Sequence, residues 1–138
     1  MDLACFDPSD LGDQVPAPGV YDATVVGARL RRSARGHRMV TVTFALAGVA
    51  PGRDRVADYF VLEGASPRGV AVARGRLVTL YRACGRDPAG GEEIRPAVLI
   101  GAHLAVTLEH QHRDGRTWVR VAGYYPPGTA PLLDEVPF

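Results

Sequence analysis

Flat aromatic rings set among guanidinium groups are the feature of this sequence best suited to holding a ligand. The lone tryptophan, Trp118, stands between Arg116 and Arg120, close after Arg113, with His110 and His112 upstream and Tyr124 downstream. A second cluster, RLRRSARGHR, holds Arg29, Arg31, Arg32, Arg35 and Arg38 with His37, and no acid falls among them. Five like charges within ten residues repel one another unless an anion neutralises them. Rings that stack on bases and arginines that meet phosphates are the two things an unpaired nucleic-acid strand requires. A solvated loop tip would explain either cluster taken singly. Catalysis needs a poised acid, base or nucleophile, and no Ser-His-Asp order, GxxxxGK[ST] loop or carboxylate cluster stands out. His110-x-His112 puts two imidazoles on one face of a strand, but no third ligand lies nearby in sequence. The reading is therefore a binding protein, not an enzyme, with no metal and no cofactor.

Strands must position both clusters. Ala102 to His112 and Thr117 to Tyr125 alternate apolar and polar, which puts one set of side chains on each face of a hairpin. Val119 and Val121 oppose Trp118, Arg120 and Tyr124 in that alternation. Asp114-Gly115 supplies the positive φ of a two-residue turn. Val20 to Leu30 reads as a first strand, bent at Gly27. Met39 to Ala47 is a second, with Val40, Val42, Phe44 and Leu46 inward and Met39, Thr41, Thr43 and Ala45 outward. Arg55 to Leu62 is a third; Phe60 shares a face with Val56 and Leu62, which leaves Tyr59 outside. Ser66 caps a helix whose apolar stripe is Val70, Ala73, Leu77, Leu80, Tyr81 and Cys84, stopped at Gly85. Arg68, Arg74, Arg76, Arg82 and Arg86 fall off that stripe and read as its solvated face. Ala97 to Gly101 is expected to open the fourth strand.

The order is strand, strand, strand, helix, strand, strand. The expected fold class is all-β with one helix: an OB-fold, a five-stranded Greek-key barrel with the helix between strands 3 and 4. Such barrels bind oligonucleotides across strands 2 and 3 and the loops joining strands 1–2 and 4–5, which is where the two cationic clusters fall.

At 138 residues the chain suits one domain. The boundaries expected are an acidic irregular lead-in at 1–19, the barrel at 20–128 and an acidic tail at 129–138. All sixteen basic residues are Arg, and neither Lys nor Asn occurs; both have AT-rich codons, so a GC-rich coding genome explains the preference. Placement carries more. Residues 1–15 hold four acids and no Arg, residues 129–138 two acids and no Arg, and the middle sixteen Arg against nine acids, a net +7. A basic body with acidic ends suits a polyanion partner. Cys5 and Cys84 form no CxxC pair and read as free thiols in a reducing compartment. No apolar run approaches a membrane span, and the N-terminus lacks the marks of a signal peptide, so a cytoplasmic protein is expected.

The stretches PAPGVYDATVVGARLRRSARGHRMVTVTF at 16–44, VADYFVL at 56–62, GRLVTLYRACG at 75–85 and YYPPG at 124–128 together resemble a phage-encoded family of single-stranded-DNA-binding-like proteins, formerly a domain of unknown function. The resemblance covers about residues 16–128. It implies an OB-fold that coats single-stranded DNA in phage replication or recombination, with no catalytic residues. The ending Asp134, Glu135, Val136, Pro137, Phe138 is similar to the C-terminal tip of bacterial single-stranded DNA-binding proteins, which implies a plug for replication and recombination partners. This ending departs from that pattern in having two acids and a short linker. Homo-oligomerisation is left open. The competing reading is an OB-fold adaptor that docks another protein without strong nucleic-acid binding.

Overall fold

The computed structural model describes residues 16–64, 66–86 and 95–128. Most of the lead-in, Cys5 and the tail with Asp134, Glu135, Val136, Pro137 and Phe138 lie outside the described residues.

Five strands and one helix follow in the expected order: β1 (Gly19–Arg32), β2 (Arg38–Leu46), β3 (Arg55–Val61), α1 (Pro67–Ala83), a short 3-10 turn at Pro96–Leu99, β4 (His103–Arg113) and β5 (Arg116–Tyr125). The strands form one antiparallel sheet in the order β3-β2-β1-β4-β5. β1 is central because it is long enough to serve two partners: residues 19–24 pair with β4 and residues 23–32 with β2.

The inner face follows the period-2 pattern. Val40, Val42, Phe44 and Leu46 on β2 meet Val25 and Ala28 on β1, Phe60 on β3, and Leu104, Val106 and Leu108 on β4, all buried. Burying each of the larger side chains contributes roughly 1.5–3 kcal/mol. α1 adds Leu77, Leu80 and Tyr81 to this core. It starts where Ser66 Oγ accepts the Gly69 amide at 3.1 Å and ends before Gly85, whose φ of 79° an L side chain would strain.

Two bulges set the curvature. One lies between Val25 and Gly27 on β1; the other places the extra residue Ala122 on β5, opposite the Thr107–Leu108 step. Each flips the alternation of the residues beyond it. The fourth strand begins at His103, later than the pattern of Ala97 to Gly101 suggests. Pro96 opens a 3-10 turn instead, Leu99 plugs the core, and Gly101 turns with φ 90°.

The sheet is curled and barrel-like, but it is not closed. β3 and β5 are its two edges, and no hydrogen-bonded ladder joins them. Side chains bridge the seam. Asp58, on the inner side of β3 opposite Val42, accepts hydrogen bonds from Arg76 of α1 and from the Tyr124 hydroxyl of β5. The Arg76 guanidinium lies 5.1 Å from the centre of the Phe60 ring and 5.9 Å from that of Tyr124. Arg76 is thus half-buried in the seam and not part of a solvated helix face.

Candidate nucleic-acid interface

Backbone register decides which side chains share a surface. Arg29 pairs with Thr41 and Thr41 with Tyr59, so β1, β2 and β3 present these three in one row on the outer face. The row beside it is Arg31, Met39 and Val61; on the other side stand Gly27, Thr43 and Ala57. Tyr59 is 56% exposed above small neighbours. The next row, Arg55, Ala45, Thr24 and His103, carries the outer face across β1 to β4. A groove of about 780 Å3 opens there, lined by Thr24, Ala45, Ala47, His103 and Pro127, with Asp22 on its rim.

Followed along β4 and β5, the same outer face carries Glu109 opposite Arg120, Gln111 opposite Trp118 and Arg113 opposite Arg116. Trp118 is 52% exposed. Asp114 and Gly115, with φ of 53° and 76°, make the tight turn that brings Arg113 and Arg116 together. A hollow of about 590 Å3 is lined by Gln111, Arg113, Asp114, Arg116 and Trp118.

Arg29 and Arg31 therefore lie on the same face of one sheet as Arg113 and Arg116, but at opposite ends of the strands. β1 pairs with β2 right up to Arg32 and Arg38, whereas β4 pairs with the start of β1 and then runs on past it. The fourteen residues of β1 span about 40 Å of strand path between the two ends.

The arginines differ in freedom. Arg29, Arg31, Arg35, Arg38, Arg113 and Arg116 have no carboxylate within ion-pair distance among the described residues. Arg120 pairs with Glu109 at 3.1 Å, and Arg32 lies 3.8 Å from Glu63 and donates to the Gly36 carbonyl at 2.8 Å. β1 extends through Arg32, so Arg29 and Arg31 are strand residues held in register and only residues 33–37 form the turn. Glu63, which no sequence motif marked, also accepts the Arg38 amide at 2.9 Å and pins the base of that turn. His37 packs on Gly64, where a Cβ would come within 2.2 Å of its ring. These contacts hold the turn against the loop between β3 and α1.

Five expected site residues sit elsewhere. Arg32 and Arg38 pair with each other on the inward alternation of β1 and β2, in line with Leu30 and Val40. Tyr124 is buried at 5% exposure, its ring 5.7 Å from that of Phe44. Burial, then the Asp58 carboxylate, push its phenol far above the ordinary tyrosine range. The bulge at Ala122 exchanges the two adjacent tyrosines: Tyr124 faces the core opposite Val106, and Tyr125 takes the outer side opposite Ala105. The Tyr125 ring lies across Gly123, close enough that a Cβ there would meet its hydroxyl at 2.9 Å. His110 faces the other side of β4 from Trp118. Its Nε2 lies 2.6 Å from the Pro16 carbonyl and so donates to it, tying the chain before β1 to the hairpin. His112 shares that side, with Nδ1 3.1 Å from the Thr117 hydroxyl. Sequence alternation passed over Tyr125 and Gln111; the Gly123 next to a tyrosine pair was the available sign of a bulge.

No family model matches the chain, and no curated protein matches it. Among the described residues no helix is long and apolar enough to cross a membrane.

Proposed function

We propose that the protein binds single-stranded DNA with little sequence specificity, coating it during replication or recombination. The strand lies across the outer face of an OB-like barrel. The observation that carries this reading is the exposure of Tyr59 and Trp118 on the same sheet face as Arg29, Arg31, Arg113 and Arg116, which no carboxylate among the described residues neutralises. Bases stack on the rings whatever their identity, because every base has a π-face, and the guanidinium groups meet phosphates. The strand order, with β1 central and the helix between β3 and β4, supports the OB assignment. The likeness of the sequence to phage single-stranded-DNA-binding-like proteins points the same way. Because the two cationic ends are separated along β1, a strand must cross the whole face to touch both.

Quenching of Trp118 fluorescence by oligo-dT, compared with duplex DNA over a series of salt concentrations, tests this. If three to five phosphates are neutralised, log affinity falls against log salt with a slope of roughly −2 to −3.5. Binding that ignores salt, or that prefers duplex, overturns the reading. On the same reading the ending Asp134 to Phe138 docks replication or recombination proteins. Deleting Val136 to Phe138 should then abolish partner capture and leave oligonucleotide affinity intact. The opposite pattern, with partner binding kept and oligo-dT binding absent, would make the chain an adaptor.

A further inference from the structure

The hollow at the tip of the β4–β5 hairpin holds more than a stacking ring. Gln111 stands directly across the ladder from Trp118, and the two line the same hollow. Directly opposed side chains on a sheet have Cβ atoms about 4.5–5.5 Å apart, so a base stacked on the indole brings an edge within reach of the Gln111 amide. That amide makes no hydrogen bond to any described residue. Gln111 has no role in the turn, which Asp114 and Gly115 make, and none in the core, since it stands on the outer face. Arg113 and Arg116 flank it as cations without carboxylate partners among the described residues, and the Asp114 carboxylate completes the lining.

We infer that this hollow is a subsite for one unpaired nucleotide, in which Gln111 reads the edge of the base stacked on Trp118 and favours adenine over thymine. The inference rests on the proposed single-stranded-DNA reading and deepens it. A carboxamide presents a donor beside an acceptor. Adenine answers with N6–H and N7 on one edge and with N6–H and N1 on the other. Cytosine and thymine offer such a matched pair on one edge only. Guanine presents two acceptors, O6 and N7, on its major-groove edge, but O6 beside N1–H on its Watson–Crick edge also matches a carboxamide, so the discrimination is of adenine against thymine. An unpaired base is free to turn either edge inward, so adenine has two productive orientations. Arg113 and Arg116 hold the flanking phosphates and contribute no choice between bases.

The test compares a twelve-residue oligo-dT with the same oligomer carrying a single central dA, a design that avoids the self-stacking of oligo-dA. Both are titrated against the full chain by Trp118 quenching. The dA-containing oligomer is expected to bind tighter, by about three- to ten-fold for one solvent-accessible edge contact. Gln111→Ala should remove that difference while leaving oligo-dT affinity within about two-fold, because the phosphate and stacking contacts remain. Equal affinity for the two oligomers in the wild type, or a preference that survives Gln111→Ala, overturns the subsite and leaves the general binding reading standing. Failure of both oligomers to bind overturns both. Gln111→Glu, a nearly isosteric change at a half-buried position on the outer face, gives an independent check. It adds a carboxylate between the arginines and should weaken both oligomers; unchanged affinities would also count against the site.

Discussion

The molecule uses arginine in two opposite ways. In the seam between β3 and β5, Arg76 is half-buried, bonded to the Asp58 carboxylate and laid over the Phe60 and Tyr124 rings. On the outer face, Arg29, Arg31, Arg113 and Arg116 are exposed and have no carboxylate partner among the described residues. A guanidinium that holds a fold together has its charge matched and its donors used within the chain. One that waits for a ligand has neither. The contrast teaches that sixteen arginines with a near-neutral total say little by count; the partner each one lacks is what marks a surface for an anion.

The sharpest way to break this contrast is to remove the seam arginine. Arg76→Ala leaves Asp58 on the inner side of β3 with its charge unmatched, and loss of one member of such a pair destabilises by about 3 kcal/mol. Urea unfolding should show a lower midpoint at an unchanged slope, while the folded fraction binds oligo-dT as before. If stability holds, the seam is closed by packing alone.

Trp118→Ala should do the reverse. Stability stays within about 0.5 kcal/mol, since surface changes rarely exceed that, and oligo-dT affinity falls by about 1–3 kcal/mol. Because the substitution removes the fluorophore, binding is followed with a labelled oligonucleotide. Tyr124→Phe sharpens the comparison, because it lies in the seam despite its place beside Tyr125. Its lost hydrogen bond to Asp58 should cost about 1–2 kcal/mol of stability, with no change in DNA affinity.

Smaller again is the paired change Arg29→Gln with Arg31→Gln. The salt slope should flatten by about 1.4 if each residue meets one phosphate, while thermal stability stays level or rises as repulsion is relieved. An unaltered slope would remove the β1–β2 end from the interface.

The last prediction concerns pH. Burial raises the Tyr124 phenol, with the Asp58 carboxylate adding to it, and burial pushes the Cys84 thiol up to about 11. Above their ordinary values, 10.0 and 9.0, the unfolded chain releases these protons and the folded chain keeps them. Both contributions are therefore full below about pH 9 and are lost as pH rises beyond it. Unfolding midpoints measured from pH 8 to 11 should fall, less steeply in Tyr124→Phe, whereas the outer-face arginine variants should track the wild type.

Much of the fold that carries the candidate interface was legible in the chain. The Asp114-Gly115 turn, the inward set of β2, the choice of Phe60 over Tyr59 for the core and the bend at Gly27 all follow from period-2 alternation and positive-φ chemistry, which are local. What was missed lies beyond a bulge or across the fold. A single extra residue at Ala122 shifted the alternation by one, so Tyr124 went inward and Tyr125 outward. Arg76 fell off the apolar stripe of α1, and only the neighbouring strands reveal that this side of the helix faces Asp58.

The sequence by itself determined the strands, the helix, their order and the two cationic clusters, because spacing and turn residues act over a few positions. Only the tertiary structure decided that the sheet stays open at β3 and β5, that a charged clasp spans that gap, and that Arg29 and Arg31 share a face with Arg113 and Arg116 while standing at the opposite end. Those outcomes depend on register and on pairs such as Asp58 with Arg76 and Tyr124, whose energies exist only once distant segments meet.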